Sequence, residues 1–353
     1  MTKGLRVKTF LSVLIYCVAA MSAMLLFIQH KAITIANVAQ DQVENDNAEA
    51  EVKDAGGGQM LRFRPGEENT DYLCIPLAEG VQAEDVSMEN HYMERQVWIY
   101  IKNTSEDYYR EEAVFGNISN IEAGSFEKTK NAILLKFSLA DVYECRSIME
   151  ENHLYIEFVP PKEMYEKIIV LDAGCGGTQN GVQTEGLTEK NVTLDIIKRL
   201  KSLLEGTDIK VYYTRTEDVE LTQEKRVELA NAVHADMLIS VRLNESEDKS
   251  VYGTEALYNE NYFIPGFGSV DLADLVERNV VTGISGKGNG LYAAEASDIL
   301  LKEAKVPATV IKVGYLSNVQ EAALLKKEDY RERIAEGIYA AILEAYQTEK
   351  GGR

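Results

Sequence analysis

The chain has 353 residues, with 57 acidic against 37 basic side chains and a formal net charge of −20. That length leaves room for two domains and a tail. The acidity excludes a general basic surface for nucleic acid or for anionic lipid.

At the N-terminus, Lys3, Arg6 and Lys8 precede an uncharged apolar run from Thr9 to Ile28. A run of about 20 such residues is long enough to cross a ~30 Å hydrocarbon core. The positive-inside rule then puts residues 1–8 in the cytoplasm and the main body outside the cell membrane, with 9–28 as a single transmembrane helix. The competing reading is a cleaved signal peptide, whose apolar core is about 7–15 residues long. The longer run, followed by Gln29-His30-Lys31, favours an uncleaved anchor. Residues 29–58 read as a disordered acidic linker. They carry Asp41, Glu44, Asp46, Glu49, Glu51 and Asp54, lack aromatics, and end in Gly56-Gly57-Gly58. Such a composition buries too little apolar surface to order itself.

Residues 59–163 predict a small β-rich domain. Tyr72–Leu77, Gln96–Ile101, Ala132–Phe137 and His153–Phe158 are β-rich runs, several alternating with period two. They suggest a sandwich, and Pro160-Pro161 closes the last strand. Cys74 and Cys145 lie in these runs. They read as buried free thiols, with a disulfide between them as the alternative.

Residues 166–349 alternate strand and helix. Strands are expected at 167–172, 208–213, 236–242, 253–258 and 308–313. Val192, Ile196, Ile197, Leu200, Leu203 and Leu204 recur at helical spacing, as do Ile334, Ile338, Ala341, Ile342 and Tyr346. This alternation implies an α/β fold, a mostly parallel twisted sheet flanked by helices. Ligand sites in such sheets gather at the carboxyl ends of strands.

Several motifs fall in this region. Leu171-Asp172-Ala173-Gly174-Cys175-Gly176-Gly177 runs from the first strand into a glycine loop. Thr214-Arg215, Arg226, Ala230-Asn231, Ser240 and Val313-Gly314-Tyr315-Leu316-Ser317-Asn318 follow. Over roughly residues 166–347 the pattern resembles the zinc-dependent N-acetylmuramoyl-L-alanine amidases, which cut peptidoglycan between sugar and peptide. The resemblance implies the amidase fold and a zinc site. It places family histidines at Cys175 and Arg242, the metal-binding glutamate at Glu189 and the catalytic glutamate at Lys312. The β-rich domain is weakly similar, by position and strand pattern, to small domains that precede amidase domains and bind envelope material. A structural spacer is the alternative.

The departures from the family pattern matter chemically. A catalytic zinc takes about three ligands from His, Glu, Asp or Cys, and Arg242 stays protonated and cannot ligate. Lys312, as an ammonium, has no lone pair with which to take a proton from water. His234 is expected near a loop, a strand length away from Arg242. Cys175 lacks a histidine to serve a nucleophile. No bound metal and no intact catalytic residue are therefore expected. Replacement of a dication and a carboxylate by two cations predicts that Glu189 lies within about 4 Å of Arg242 or Lys312, most readily by a bidentate pair with Arg242, and that Cys175 lines the same pocket. The expected role is a membrane-anchored pseudo-amidase that binds peptidoglycan or an envelope or amidase partner. An active amidase with an atypical site and a structural envelope component are the alternatives.

Overall fold

The structure, a computed structural model, describes residues 33, 35–37, 58–65, 71–184, 186–260 and 265–351. The predicted span at 9–28 and most of the predicted linker lie outside the described residues. Among the described residues, no helix is long and apolar enough to cross a membrane.

The N-terminal body consists of β1 (Ile35–Asn37), β2 (Gln59–Met60), β3 (Phe63–Pro65), β4 (Leu73–Pro76), β5 (Val86–His91), β6 (Gln96–Ile101), β7 (Val114–Gly116), β8 (Ile121–Lys128), β9 (Ile133–Leu139), β10 (Glu144–Glu150) and β11 (His153–Val159). They form two sheets, ordered β1-β5-β6-β9-β8-β2 and β10-β11-β4-β7-β3. Both contribute to one core, with Val97, Ile99 and Phe137 from the first and Leu73, Ile75 and Ile156 from the second. The period-two signal is visible in β6, where Val97, Ile99 and Ile101 are buried and Gln96, Trp98 and Tyr100 lie partly open. Cys74 and Cys145 are buried free thiols, and burial raises the ordinary value of each.

Part of the predicted disordered linker is in fact a strand. Residues 35–37 pair parallel with β5, Ile35 opposite Met88, and Ile33 is buried in the sandwich core. Ile33, Thr34 and Ile35 are uncharged and β-branched, and the acidic residues begin only at Asp41. Composition averaged over the whole linker conceals that short stretch.

The second body contains β12 (Lys167–Ala173), β13 (Gln183–Thr184), β14 (Leu187–Thr188), α1 (Glu189–Leu204), β15 (Ile209–Tyr213), α2 (Gln223–Ala232), β16 (Met237–Asn244), β17 (Thr254–Tyr258), α3 (Ser269–Ile284), β18 (Gly288–Ala293), β19 (Ala308–Tyr315), α4 (Val319–Leu325) and α5 (Glu328–Gly351). The main sheet is ordered β15-β12-β16-β19-β17-β18. The first four strands are parallel, β17 is antiparallel to β19, and β18 is parallel to β17. Ile168 to Leu171 are wholly buried, as expected of a strand covered on both faces. The apolar stripe of α1 packs on the sheet and on α5. Strand β18 is absent from the sequence expectation because Gly288-Asn289-Gly290 reads as a turn. It is an edge strand, for which a weak signal suffices.

The two bodies meet at the outer strand of this sheet. Tyr92 and Val142 of the β domain belong to the core of the second body. The Tyr92 hydroxyl donates to the Tyr213 carbonyl at 2.9 Å and accepts from the Tyr213 amide at 3.1 Å. Buried Glu144 accepts from the Tyr212 hydroxyl at 2.5 Å and pairs with Lys210 Nζ at 2.7 Å. The β domain thereby covers the β15 flank of the sheet, an otherwise open row of strand edge.

Candidate functional site

The carboxyl ends of the central strands bring the expected residues together. Chain leaving β12 turns at Gly174 and Cys175, the latter in a left-handed conformation with φ 60°. A side chain at Gly174 would lie 2.2 Å from Arg242 Cδ, so glycine there lets the arginine cross the loop backbone. Arg242 in β16 stands in register with Lys312 in β19, and Lys312 stands opposite Glu255 in β17. The three side chains therefore form a row across one face of the sheet. Glu189 opens α1 beside them. Glu189, Arg242 and Lys312 share a cavity of about 190 Å³ with Gln223, Leu257 and Leu300.

The expected ion pair of Glu189 with Arg242 or Lys312 is not formed. Glu189 is buried, but its Oε2 accepts from the Val182 amide at 2.9 Å and its Oε1 from the Leu243 amide at 3.2 Å. Backbone donors supply the balance assigned in advance to a cation. Arg242 turns instead to Asp172, with Nη2 3.7 Å from Oδ2, and places Nη1 3.7 Å from Cys175 Sγ. Lys312 Nζ lies 3.5 Å from Glu255 Oε1. Glu255 also accepts from Asn244 Nδ2 at 2.7 Å and from the Tyr315 hydroxyl at 3.0 Å. Each charge thus has its own partner. Cys175 does lie close to Glu189, since a side chain at Gly181 would meet both Glu189 Oε2 and Cys175 Sγ.

This arrangement gives Glu189 a testable structural role. Glu189→Ala should strand two amides at about 1–3 kcal/mol each. Glu189→Gln, with one acceptor oxygen, should fall between wild type and Ala in urea midpoint. Equal midpoints for all three would mean that water replaces the carboxylate.

Asp172 is the hub that the sequence expectation missed. It is fully buried; its Oδ1 accepts from Thr214 Oγ1 at 2.6 Å and from Arg226 Nη1, and its Oδ2 accepts from Ser240 Oγ at 2.5 Å. Burial alone would raise its carboxyl, but Arg226 and Arg242 outweigh that and hold it well below the usual carboxylate range. Arg226 also donates to the carbonyls of Ala173 and Cys175 at 2.8 Å. Arg215 donates to those of Ala173 at 2.9 Å and Gly174 at 2.8 Å. The retained Thr214, Arg215, Arg226 and Ser240 therefore fasten the loop after β12. An acid directly behind the buried apolar run Ile168–Leu171 needs buried partners, and that was the available signal for Asp172. Glu255 offered none, because its partners come from other strands.

The chemistry open to this cluster is narrow. Burial and neighbouring Glu189 raise the Cys175 thiol, and Arg242 only partly offsets them, which disfavours the thiolate that a nucleophile needs. His234 occupies a left-handed turn after α2, before β16 begins, while Arg242 lies near the far end of that strand. The donor set does not fit zinc. Cys175 and Glu189 are two candidate ligands, Glu189 faces backbone amides, and a guanidinium sits against the thiol where a dication would be repelled. Among the described residues, no group of three or more His, Cys, Asp or Glu side chains is placed to hold a metal ion.

The sequence pattern of the N-acetylmuramoyl-L-alanine amidases matches residues 169–344. The chain is 32% identical over 201 residues to the germination-specific N-acetylmuramoyl-L-alanine amidase of Bacillus subtilis, covering 52% of this chain and 81% of that protein. The chain belongs to the N-acetylmuramoyl-L-alanine amidase family. It is also 26% identical over 179 residues to the N-acetylmuramoyl-L-alanine amidase LytC of Bacillus subtilis, covering 51% of this chain and 35% of LytC. Among solved structures, the catalytic domain of the amidase CwlV from Bacillus (Paenibacillus) polymyxa var. colistinus shares 28% identity at a TM-score of 0.48, over 52% of this chain and 99% of that domain. The β domain lies outside the amidase match, which begins in β12. Within this amidase-family body, the loop-fastening residues are in place around a cluster in which Arg242 and Lys312 pair with Asp172 and Glu255 while Glu189 is held by backbone amides.

Proposed function

We propose that this protein is a membrane-anchored pseudo-amidase of the cell envelope, which binds peptidoglycan or an envelope partner without cutting the amide. The observation that carries the reading is the separate pairing of Arg242 with Asp172 and of Lys312 with Glu255. Residues so engaged supply neither a third metal ligand nor a base for water. Family membership supports the peptidoglycan connection. The intact Asp172 network supports a fold kept for binding.

The decisive experiment is metal analysis beside turnover on muropeptides, with full-length protein purified in detergent. Zinc should be far below one per chain and no peptide should be released. Stoichiometric zinc with turnover that a chelator abolishes would establish the alternative, an active amidase with an atypical site.

The anchoring proposal rests on the apolar run Thr9–Ile28 behind Lys3, Arg6 and Lys8. Protease treatment of intact cells should remove the folded bodies. Full protection would place them inside the cell, and a mature N-terminus beyond residue 30 would mean secretion.

A further inference from the structure

The cavity beside the row of charges is unusual in what it offers a ligand. Arg242 and Lys312 are both partly open to it, at 20% and 28% side-chain exposure. Their nearest carboxylates stand at 3.7 and 3.5 Å, well beyond the ~2.7–2.9 Å of a tight charge-assisted hydrogen bond. Arg242 Nε donates to Ser240 Oγ at 3.3 Å and Nη1 faces Cys175 Sγ at 3.7 Å, so beyond these loose pairings Arg242 Nη2 and Lys312 Nζ keep donors unspent. Gln223 adds another, since its Oε1 accepts from the Leu300 amide at 3.2 Å and its Nε2 has no partner among the described residues. The two acids on the wall are engaged by backbone. Glu189 holds the amides of Val182 and Leu243, and Asp298 accepts from the Glu295 amide at 2.9 Å. Leu257, Leu300 and Val310 supply an apolar side. At about 190 Å³ the space suits a ligand far smaller than a drug-sized molecule.

We propose that this pocket binds the C-terminal carboxylate of a short peptide. Arg242 and Lys312 hold the carboxylate, Gln223 Nε2 donates to the preceding carbonyl, and the Leu257–Leu300–Val310 side receives a small aliphatic side chain. A guanidinium presents a planar pair of donors that matches a carboxylate, and the ammonium adds a point charge. Apolar walls make each contact stronger than it would be in water. The inference rests on the pseudoenzyme reading and deepens it, because side chains that offer neither a third metal ligand nor a base for water are left with recognition.

The test is equilibrium dialysis of the full-length protein in detergent, at low salt, with labelled N-acetylalanine of either hand. N-acetylalaninamide serves as the neutral isostere and inorganic phosphate as the competing oxyanion. N-acetylalanine should be retained, with the amide at least tenfold weaker. Arg242→Gln and Lys312→Gln should each weaken retention at least tenfold. Arg242→Lys, which keeps the charge, should fall between, and thermal melts show which variants are folded. Retention of the amide as well as the acid overturns the proposal, as do unchanged binding by both folded Gln variants, equal competition by phosphate, or no retention of N-acetylalanine. A protein that retains no probe and releases no peptide from muropeptides loses this inference alone. One that turns muropeptides over loses the pseudoenzyme reading.

Discussion

Asp172→Asn should destabilise the protein by about 3–5 kcal/mol, the range for breaking a buried ion pair by removing one partner. Arg226 is essentially without exposure, and its charge would be left inside the fold opposite a neutral amide. The Asn side chain also turns one acceptor into a donor, which would face either the Ser240 hydroxyl or the Thr214 hydroxyl and Arg226, all of which now donate to the carboxylate. Urea midpoints at neutral pH check the magnitude, and a loss under about 1 kcal/mol would contradict the hub role. The pH dependence is a second reading of the same group. Its folded value lies below the ordinary 3.8 of an aspartate, against the effect of burial and through Arg226 and Arg242. The unfolded chain therefore takes up the proton first as pH falls. The stabilisation is complete above the unfolded value and drains as pH drops below it toward the folded one. The Asn variant should lack that share of the acid sensitivity.

Glu144→Ala should cost about 3 kcal/mol and should loosen one body from the other. Glu144 is buried and bonds both Tyr212 and Lys210 across the joint. Its loss leaves an ammonium with little exposure and a buried phenol without their acceptor. Contacts of Lys210 with the rings of Tyr165 at 4.8 Å and Tyr212 at 4.9 Å hold the cost near the lower end of the range. The double change Glu144→Ala with Lys210→Met should recover part of the loss, because no charge is then stranded. Calorimetry should show one transition for wild type and two for Glu144→Ala. A single, barely shifted transition would mean that Tyr92 and the apolar contacts hold the joint unaided.

Much of the α/β body was legible because burial writes a plain pattern. Ile168 to Leu171 form an unbroken apolar run, and α1 carries its stripe at helical spacing. The edges were less legible. Strand β18 begins with Gly288-Asn289-Gly290, and β1 hides in a segment whose average is acidic. At the site, the family resemblance implied, and strand polarity allowed, that Glu189, Arg242 and Lys312 would converge. Which groups pair was not foretold, since charge counting takes no account of backbone amides. Two of those amides satisfy Glu189, which leaves Arg242 to Asp172 and Lys312 to Glu255.

The pairing of Lys312 with Glu255 makes the reversals of these substitutions unequal. Arg242→His, a step toward the family pattern, leaves Asp172 with Arg226, Thr214 and Ser240, so the fold raises little objection. Lys312→Glu is different. It would set a second carboxylate where the ammonium now stands 3.5 Å from Glu255, and two such charges at close range repel. With glutamate at 312 the two carboxyls could not both ionise cheaply, so one would keep its proton to a higher pH. Of the three departures from the family pattern, at Cys175, Arg242 and Lys312, reversal at Arg242 leaves Asp172 its other partners, whereas reversal at Lys312 alone sets two carboxylates side by side.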